Sequence, residues 1–258
     1  MLRFAANLSM MFTEHAFLDR FAAAADAGFA AVEFLFPYDH PPEEIAARLS
    51  AHGLTQALFN LPPGDWAAGD RGLAALPARR EAFRASVASA LTYARATGVK
   101  RLHMMAGIAD PADPAARAAY RDAAAFAADA VGAEGLDLLL EPINGRDMPG
   151  YFLNDFNRTA DLIADLGRPN IRLQFDIYHR QILHGDVIRG METLFPLIGH
   201  VQIAAVPHRH EPCSGELDDV RVLRHLDSLG YAGFVGCEYR PRAGTVEGLG
   251  WRAAFGGA

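Results

Sequence analysis

Short, nearly continuous apolar runs alternate along the chain with longer stretches whose apolar positions recur three and four apart, the spacing of one helix face. The runs read as buried strands at 3–7, 32–36, 54–60, 100–105, 136–140, 171–175, 197–203 and 234–237. Between them, Phe17, Phe21 and Ala24 mark a helix stopped at Gly28, and 42–52 is a second short helix. Phe83, Val87, Leu91 and Ala94 give a longer one closing at Gly98, and the alanine-rich stretch 114–131 is a strong helix former ending at Gly132. Asn154 is the expected cap of a helix carrying Phe156, Ala160 and Ile163, with Gly167 and Pro169 at its end. Further helices are expected near 181–189 and 219–229. Eight strand–helix units of about 32 residues each predict one α/β domain over residues 1–258, a single closed (β/α)₈ barrel of the TIM type. An open doubly wound sheet is the rival, but no glycine-rich phosphate turn follows an early strand.

A barrel of this kind builds its active site at the C-terminal ends of its strands, so the polar residues that close each apolar run are the ones to read. The fifth strand ends in Glu141, the sixth in Asp176, the seventh carries His200 and Gln202, and the eighth ends in Glu238. Residues two apart on a strand share a face. If Leu138, Leu140, Leu173, Phe175, Val201, Ile203, Val235 and Cys237 face the helices, then Glu141, Gln174, Asp176, His200, Gln202 and Glu238 point into the barrel. The successive spacings along Glu141, Asp176, Gln202 and Glu238 are 35, 26 and 36 residues, each about one unit. Carboxylates clustered at one rim repel and take up protons unless a cation sits among them. Three carboxylates and one amide oxygen form a hard donor set suited to Mg²⁺ or Mn²⁺, so Glu141, Asp176, Gln202 and Glu238 are the expected metal ligands.

Composition narrows the classes. With 51% hydrophobic and 21% charged residues the chain has the makings of a large core, and 31 acidic against 24 basic residues give a formal charge of -7, the wrong sign for binding nucleic acid. Cys213 and Cys237, the two cysteines, are too few for a disulfide framework and read as reduced thiols. Polar Asn7 and Ser9 interrupt the N-terminal segment, and no window holds some 18 uninterrupted apolar residues, so the expectation is a cytoplasmic protein with no membrane partner.

At these same strand ends the sequence resembles the hydroxypyruvate isomerases of the xylose-isomerase-like barrel superfamily. The resemblance is carried by Asn7-Leu8-Ser9-Met10, the run from Ala31 to Tyr38, Glu141-Pro142-Ile143-Asn144, Asp176-Ile177-Tyr178-His179, the run from His200 to Ala204, Arg209-His210-Glu211-Pro212, and the run from Gly236 to Pro241. It implies a divalent metal between Glu141, Asp176, Gln202 and Glu238, and interconversion of hydroxypyruvate with 2-hydroxy-3-oxopropanoate. Close relatives that isomerise 2-oxo-tetronates share much of the pattern. It also implies association into a homodimer or tetramer.

That chemistry needs a proton taken from beside a carbonyl and returned to the adjacent carbon through an enediol, which the pair Glu141 and Glu238 can perform as acid and base. A hydroxy-oxo acid substrate carries a carboxylate, so a cation is expected in the pocket. Arg209 is the first candidate, with Arg146 and Arg240 behind it. His179, His210, Asn7 and His103 are further candidate substrate contacts, His103 as pocket wall. His208-Arg209-His210 offers only two histidines on one loop, short of a zinc site. His200 is expected in an internal hydrogen bond, Glu33 paired to an arginine, and Trp66 and Trp251 in segments lidding the mouth. Phe34, Phe36 and Tyr38 read as core and pocket wall. Three alternatives stay open: a ketose 3-epimerase with the same metal and proton pair, an abasic-site nuclease on the same barrel, and a non-catalytic barrel holding a structural ion.

Overall fold

The computed structural model describes residues 1–256 and closes eight parallel strands into a barrel in sequence order. They are β1 (Arg3–Asn7), β2 (Ala31–Glu33), β3 (Thr55–Asn60), β4 (Arg101–His103), β5 (Asp137–Leu140), β6 (Ile171–Asp176), β7 (Ile198–Ile203) and β8 (Phe234–Cys237). Closure is made by β1 against β8, where Ala5 pairs with Gly236. The helices are α1 (Arg20–Asp26), α2 (Pro42–Ala51), α3 (Arg80–Thr97), α4 (Pro114–Gly132), α5 (Phe156–Leu166), α6 (Ile177–Leu183), α7 (Val187–Leu194) and α8 (Asp219–Ser228). No helix among the described residues is long and apolar enough to cross a membrane.

The main core lies between the outer faces of the strands and the helices, as the alternation of apolar positions requires. Phe175 of β6, for example, packs on Phe156 of α5 with ring centroids 5.3 Å apart, and both rings are fully buried. Burying one such side chain is worth roughly 2–3 kcal/mol. A smaller cluster of Ala5, Ala31 and Ala57, with Phe234 packed against it, comes from the opposite parity, toward the N-terminal ends of the strands.

Four local expectations are corrected. The second strand ends at Glu33 instead of running over 32–36, because its register against β3 shifts between Val32 and Glu33. Leu35 then gives its N–H to the Ser9 hydroxyl, and Phe36 turns into the cavity. Asp155, not Asn154, caps α5: its carboxylate accepts from the Arg158 N–H, whereas Asn154 accepts from the Arg158 side chain. The single helix expected over 181–189 is two, α6 and α7, parted at Gly185, and α6 begins directly at the end of β6. Trp251 is no lid: it packs edge-on against Phe4, 4.9 Å away, and is absent from the cavity wall.

Candidate active site

A cavity of ≈ 320 Å³ opens over the C-terminal ends of the strands, with Glu141, His179, Arg209 and Glu238 among its walls. Asp176 shows how the local fold builds it. Its Oδ1 accepts the backbone N–H groups of Tyr178 (2.7 Å) and His179 (3.3 Å), so the strand-end carboxylate is also the N-cap of α6. The helix therefore starts at once and places His179 one turn on, its Nε2 3.6 Å from Asp176 Oδ2. Oδ2 itself is buried and has no hydrogen-bond partner among the described residues.

Glu141, just after β5, meets this pair from the neighbouring strand. One ligand atom each from Glu141, Asp176 and His179 lies within 4.8 Å of the others, and all three residues are buried. Glu141 Oε1 has no hydrogen-bond partner, while Oε2 stands 3.6 Å from His103 Nε2. The orientation of His179 is set by Asn144. The Asn144 side-chain oxygen accepts the N–H groups of Arg146 and Asp147, so its amide nitrogen must be the donor to His179 Nδ1 at 2.6 Å, joined by the Asn144 backbone N–H at 3.3 Å. Nδ1 is thereby an acceptor, and a neutral His179 carries its proton on Nε2, facing the carboxylates.

Glu238 accepts from Arg209 Nη2 at 2.9 Å, and Arg209 Nη1 binds Asp147 at 3.1 Å. The guanidinium is 3.6 Å from Asp176 Oδ2 and lies over the Tyr178 ring. Burial opposes its charge, but Glu238, Asp176, Asp147 and Glu141 outweigh burial and hold it cationic. Burial, with Glu238 and Asp176 nearby, pushes the Glu141 carboxyl well above the usual range. Burial likewise lifts Asp176 to about 6 and Glu238 to about 8, each against the pull of Arg209. Burial, with His200 beside it, depresses His103 to about 3, and burial, Arg209 and His103 keep His179 neutral.

Four carboxylates here face one internal arginine, and two buried carboxylate oxygens have no donor. An oxygen-rich donor set left in that state fits a divalent cation. Of the four expected ligands, Glu141 and Asp176 present bare oxygens. Glu238 is held by Arg209, and Gln202 Oε1 accepts from Gln174 at 2.6 Å. Gln202 is oriented from below, where its amide donates to Glu33 at 2.8 Å. Among the described residues Glu33 pairs with no arginine. It is fully buried and accepts also from Asn7 (3.1 Å) and contacts His200 Nε2 at 2.7 Å, which places His200 in the internal hydrogen bond expected of it.

His103 lines the cavity, as does Trp66. Asn7 is turned into the Glu33 network, and His210 Nδ1 lies 2.8 Å from the Arg240 carbonyl oxygen, so neither reaches the wall. Sequence reading missed Asp147 and Arg71, both on the wall. Asp147 follows Asn144 by three residues in the turn after β5, a spacing that could have exposed it; nothing near Arg71 marks it.

The profile of the family described as xylose isomerase-like TIM barrel matches residues 21–255. The chain is 57% identical over 253 residues to 2-oxo-tetronate isomerase of Cupriavidus necator, covering 97% of each chain. It is 44% identical over 253 residues to hydroxypyruvate isomerase of Escherichia coli, covering 97% of this chain and 98% of that one. A solved structure described as AP endonuclease, family 2, from Brucella melitensis superposes with a TM-score of 0.97 at 49% identity over 99% of both chains. A barrel whose strand-end acids and histidine share one cavity, matched end to end by such relatives, belongs to the xylose isomerase-like TIM-barrel family and is an isomerase within it.

Proposed function

We propose that the protein moves a carbonyl between C2 and C3 of a short 3-hydroxy-2-oxo acid, with a divalent metal, Mg²⁺ or Mn²⁺, held by Glu141, Asp176, Gln202 and Glu238. Hydroxypyruvate, giving 2-hydroxy-3-oxopropanoate, is the three-carbon substrate of this reaction and 2-oxo-tetronate the four-carbon one. The 57% identity to a 2-oxo-tetronate isomerase, against 44% to a hydroxypyruvate isomerase, favours the longer acid. The observation that carries the reading is the pair of buried, donorless oxygens on Glu141 and Asp176, clustered with His179 beside a cavity walled by Glu141, His179 and Glu238.

When bound, the metal would polarise the substrate oxygens and stabilise the charge that develops on them. The chain's own residues handle the protons. One of Glu141 and Glu238 accepts the C3 proton; the other delivers a proton to C2. The hydroxyl proton at C3 passes to the former carbonyl oxygen at C2, so no proton is lost. A carboxyl raised by burial is a stronger base than a free one, which suits it to accept a proton from carbon. His179 Nε2–H faces the same space and donates to a substrate oxygen. The acid excess, a formal charge of -7, argues against a phosphate-binding nuclease role.

The test is turnover of hydroxypyruvate and 2-oxo-tetronate by metal-stripped protein before and after adding Mg²⁺ or Mn²⁺. We expect activity only with metal, and a loss of about 10²–10⁴-fold in kcat for Glu141→Gln. Unchanged turnover in that variant would leave a structural ion as the better reading; turnover of a free ketose alone would make the protein an epimerase.

A further inference from the structure

Three arginines reach the cavity wall, and they differ in what already engages their charge. Arg209 has both terminal nitrogens committed, to Glu238 and Asp147. Arg240 is exposed and its side chain makes no hydrogen bond among the described residues. Arg71 is half-buried and braced. Its Nη1 donates to the carbonyls of Trp66 (3.0 Å) and Asp70 (2.7 Å), and its guanidinium carbon lies 3.9 Å from the centre of the Trp66 ring. Its Nε and Nη2 bind nothing, and no carboxylate forms an ion pair with it among the described residues.

We infer that Arg71 is the anchor for the substrate's carboxylate, taking it on the open Nε–Nη2 edge at the side of the cavity formed by the loop after β3. The inference rests on the proposal that the substrate is an oxo acid, and names the group that recognises its acidic end. An anion entering a cavity already walled by Glu141, Asp147 and Glu238 needs a positive partner away from them, and a guanidinium edge matches a carboxylate in two parallel hydrogen bonds. Stacking on Trp66 and two backbone carbonyls hold that edge in one orientation before any ligand arrives.

The loop is built to keep it there. Asp70 accepts the Asp65 N–H and pairs with Arg79 at 3.1 Å, while Gly72 bridges to Ala106 and gives its N–H to the Pro63 carbonyl. Arg71 therefore sits between two fixed neighbours.

The experiment compares hydroxypyruvate with dihydroxyacetone, in which CH₂OH replaces the carboxylate, in wild type, Arg71→Met, Arg71→Lys and Arg240→Met. In Arg71→Met the ratio of kcat/KM for hydroxypyruvate over dihydroxyacetone should fall about 100-fold, chiefly through KM. In Arg71→Lys, which keeps charge but not the fork, it should fall about tenfold. An unchanged ratio, equal losses on both substrates, or a ratio that collapses in Arg240→Met instead would each overturn the assignment. Should wild type turn over neither compound, ligand-observed NMR of propanoate binding to metal-free protein decides Arg71 separately, and the proposed reaction fails only if 2-oxo-tetronate is not turned over either. Binding lost in Arg71→Met supports the anchor; binding retained refutes it. Arg71→Lys serves the same titration should the methionine variant fail to fold.

Discussion

Replacing Glu33 by Gln tests the polar network beneath the cavity with almost no change in volume. Volume matters because a Cβ at Gly236 would stand 2.3 Å from Glu33 Oε2, so the carboxylate already fills the space against β8. Glu33 Oε1 takes the amides of Asn7 and Gln202, and Oε2 faces His200 Nε2. A glutamine has one acceptor oxygen for both sides. If that oxygen serves the two amides, its NH₂ points at His200, whose Nε2 must give up its proton to Nδ1, a buried atom with no partner. One hydrogen bond to a charged group, worth about 1.5–3 kcal/mol, is lost and one buried donor is orphaned at about 1–3 kcal/mol. Relief of a buried charge offsets part of this. The expected net loss is about 2–3 kcal/mol, a large share of a typical domain's stability. Guanidinium unfolding of metal-free protein should show a lower midpoint at unchanged slope. A loss under about 0.5 kcal/mol, or a gain, would refute the reasoning by showing that burying the charge costs as much as its bonds return.

Two further outcomes can be checked. Gly72 has φ 110° and a Cβ there would lie 2.3 Å from the Met105 carbonyl oxygen, so Gly72→Ala should cost on the order of 3 kcal/mol and raise KM by displacing Arg71; a thermal melt and a KM both matching wild type would contradict the packing. His103, depressed to about 3, stays neutral in the fold while an unfolded histidine protonates near 6.5, so its contribution to stability is lost as pH falls. Between pH 7 and 5 metal-free wild type should lose about 2 kcal/mol more than His103→Gln, and parallel pH profiles would mean the imidazole shares a proton with Glu141.

The barrel and the acid ring were legible because both follow from short-range rules. Alternation sends Glu141, Asp176, Gln202 and Glu238 to one side, and the parallel barrel gathers strand ends at one rim. What escaped depends on contacts between distant segments. Glu33 was expected beside an arginine, but the interior at Gly236 leaves no room for a guanidinium, and an imidazole and two amides serve instead. Arg71 gains its meaning from its stacking on Trp66 and from the packing of Gly72 against Met105, contacts that its sequence surroundings do not reveal. The early end of β2 and the division into α6 and α7 are a register shift and a helix start, features that apolar periodicity does not register.

Asp176 spends one oxygen on starting α6 and turns the other toward His179 and Glu141, so two tasks share a single position. A glutamate there would keep the charge yet reach past the amides that a shorter side chain caps, unseating helix and carboxylate together. Neither role alone constrains the position so tightly: any exchange of the carboxylate must also supply another start for the helix.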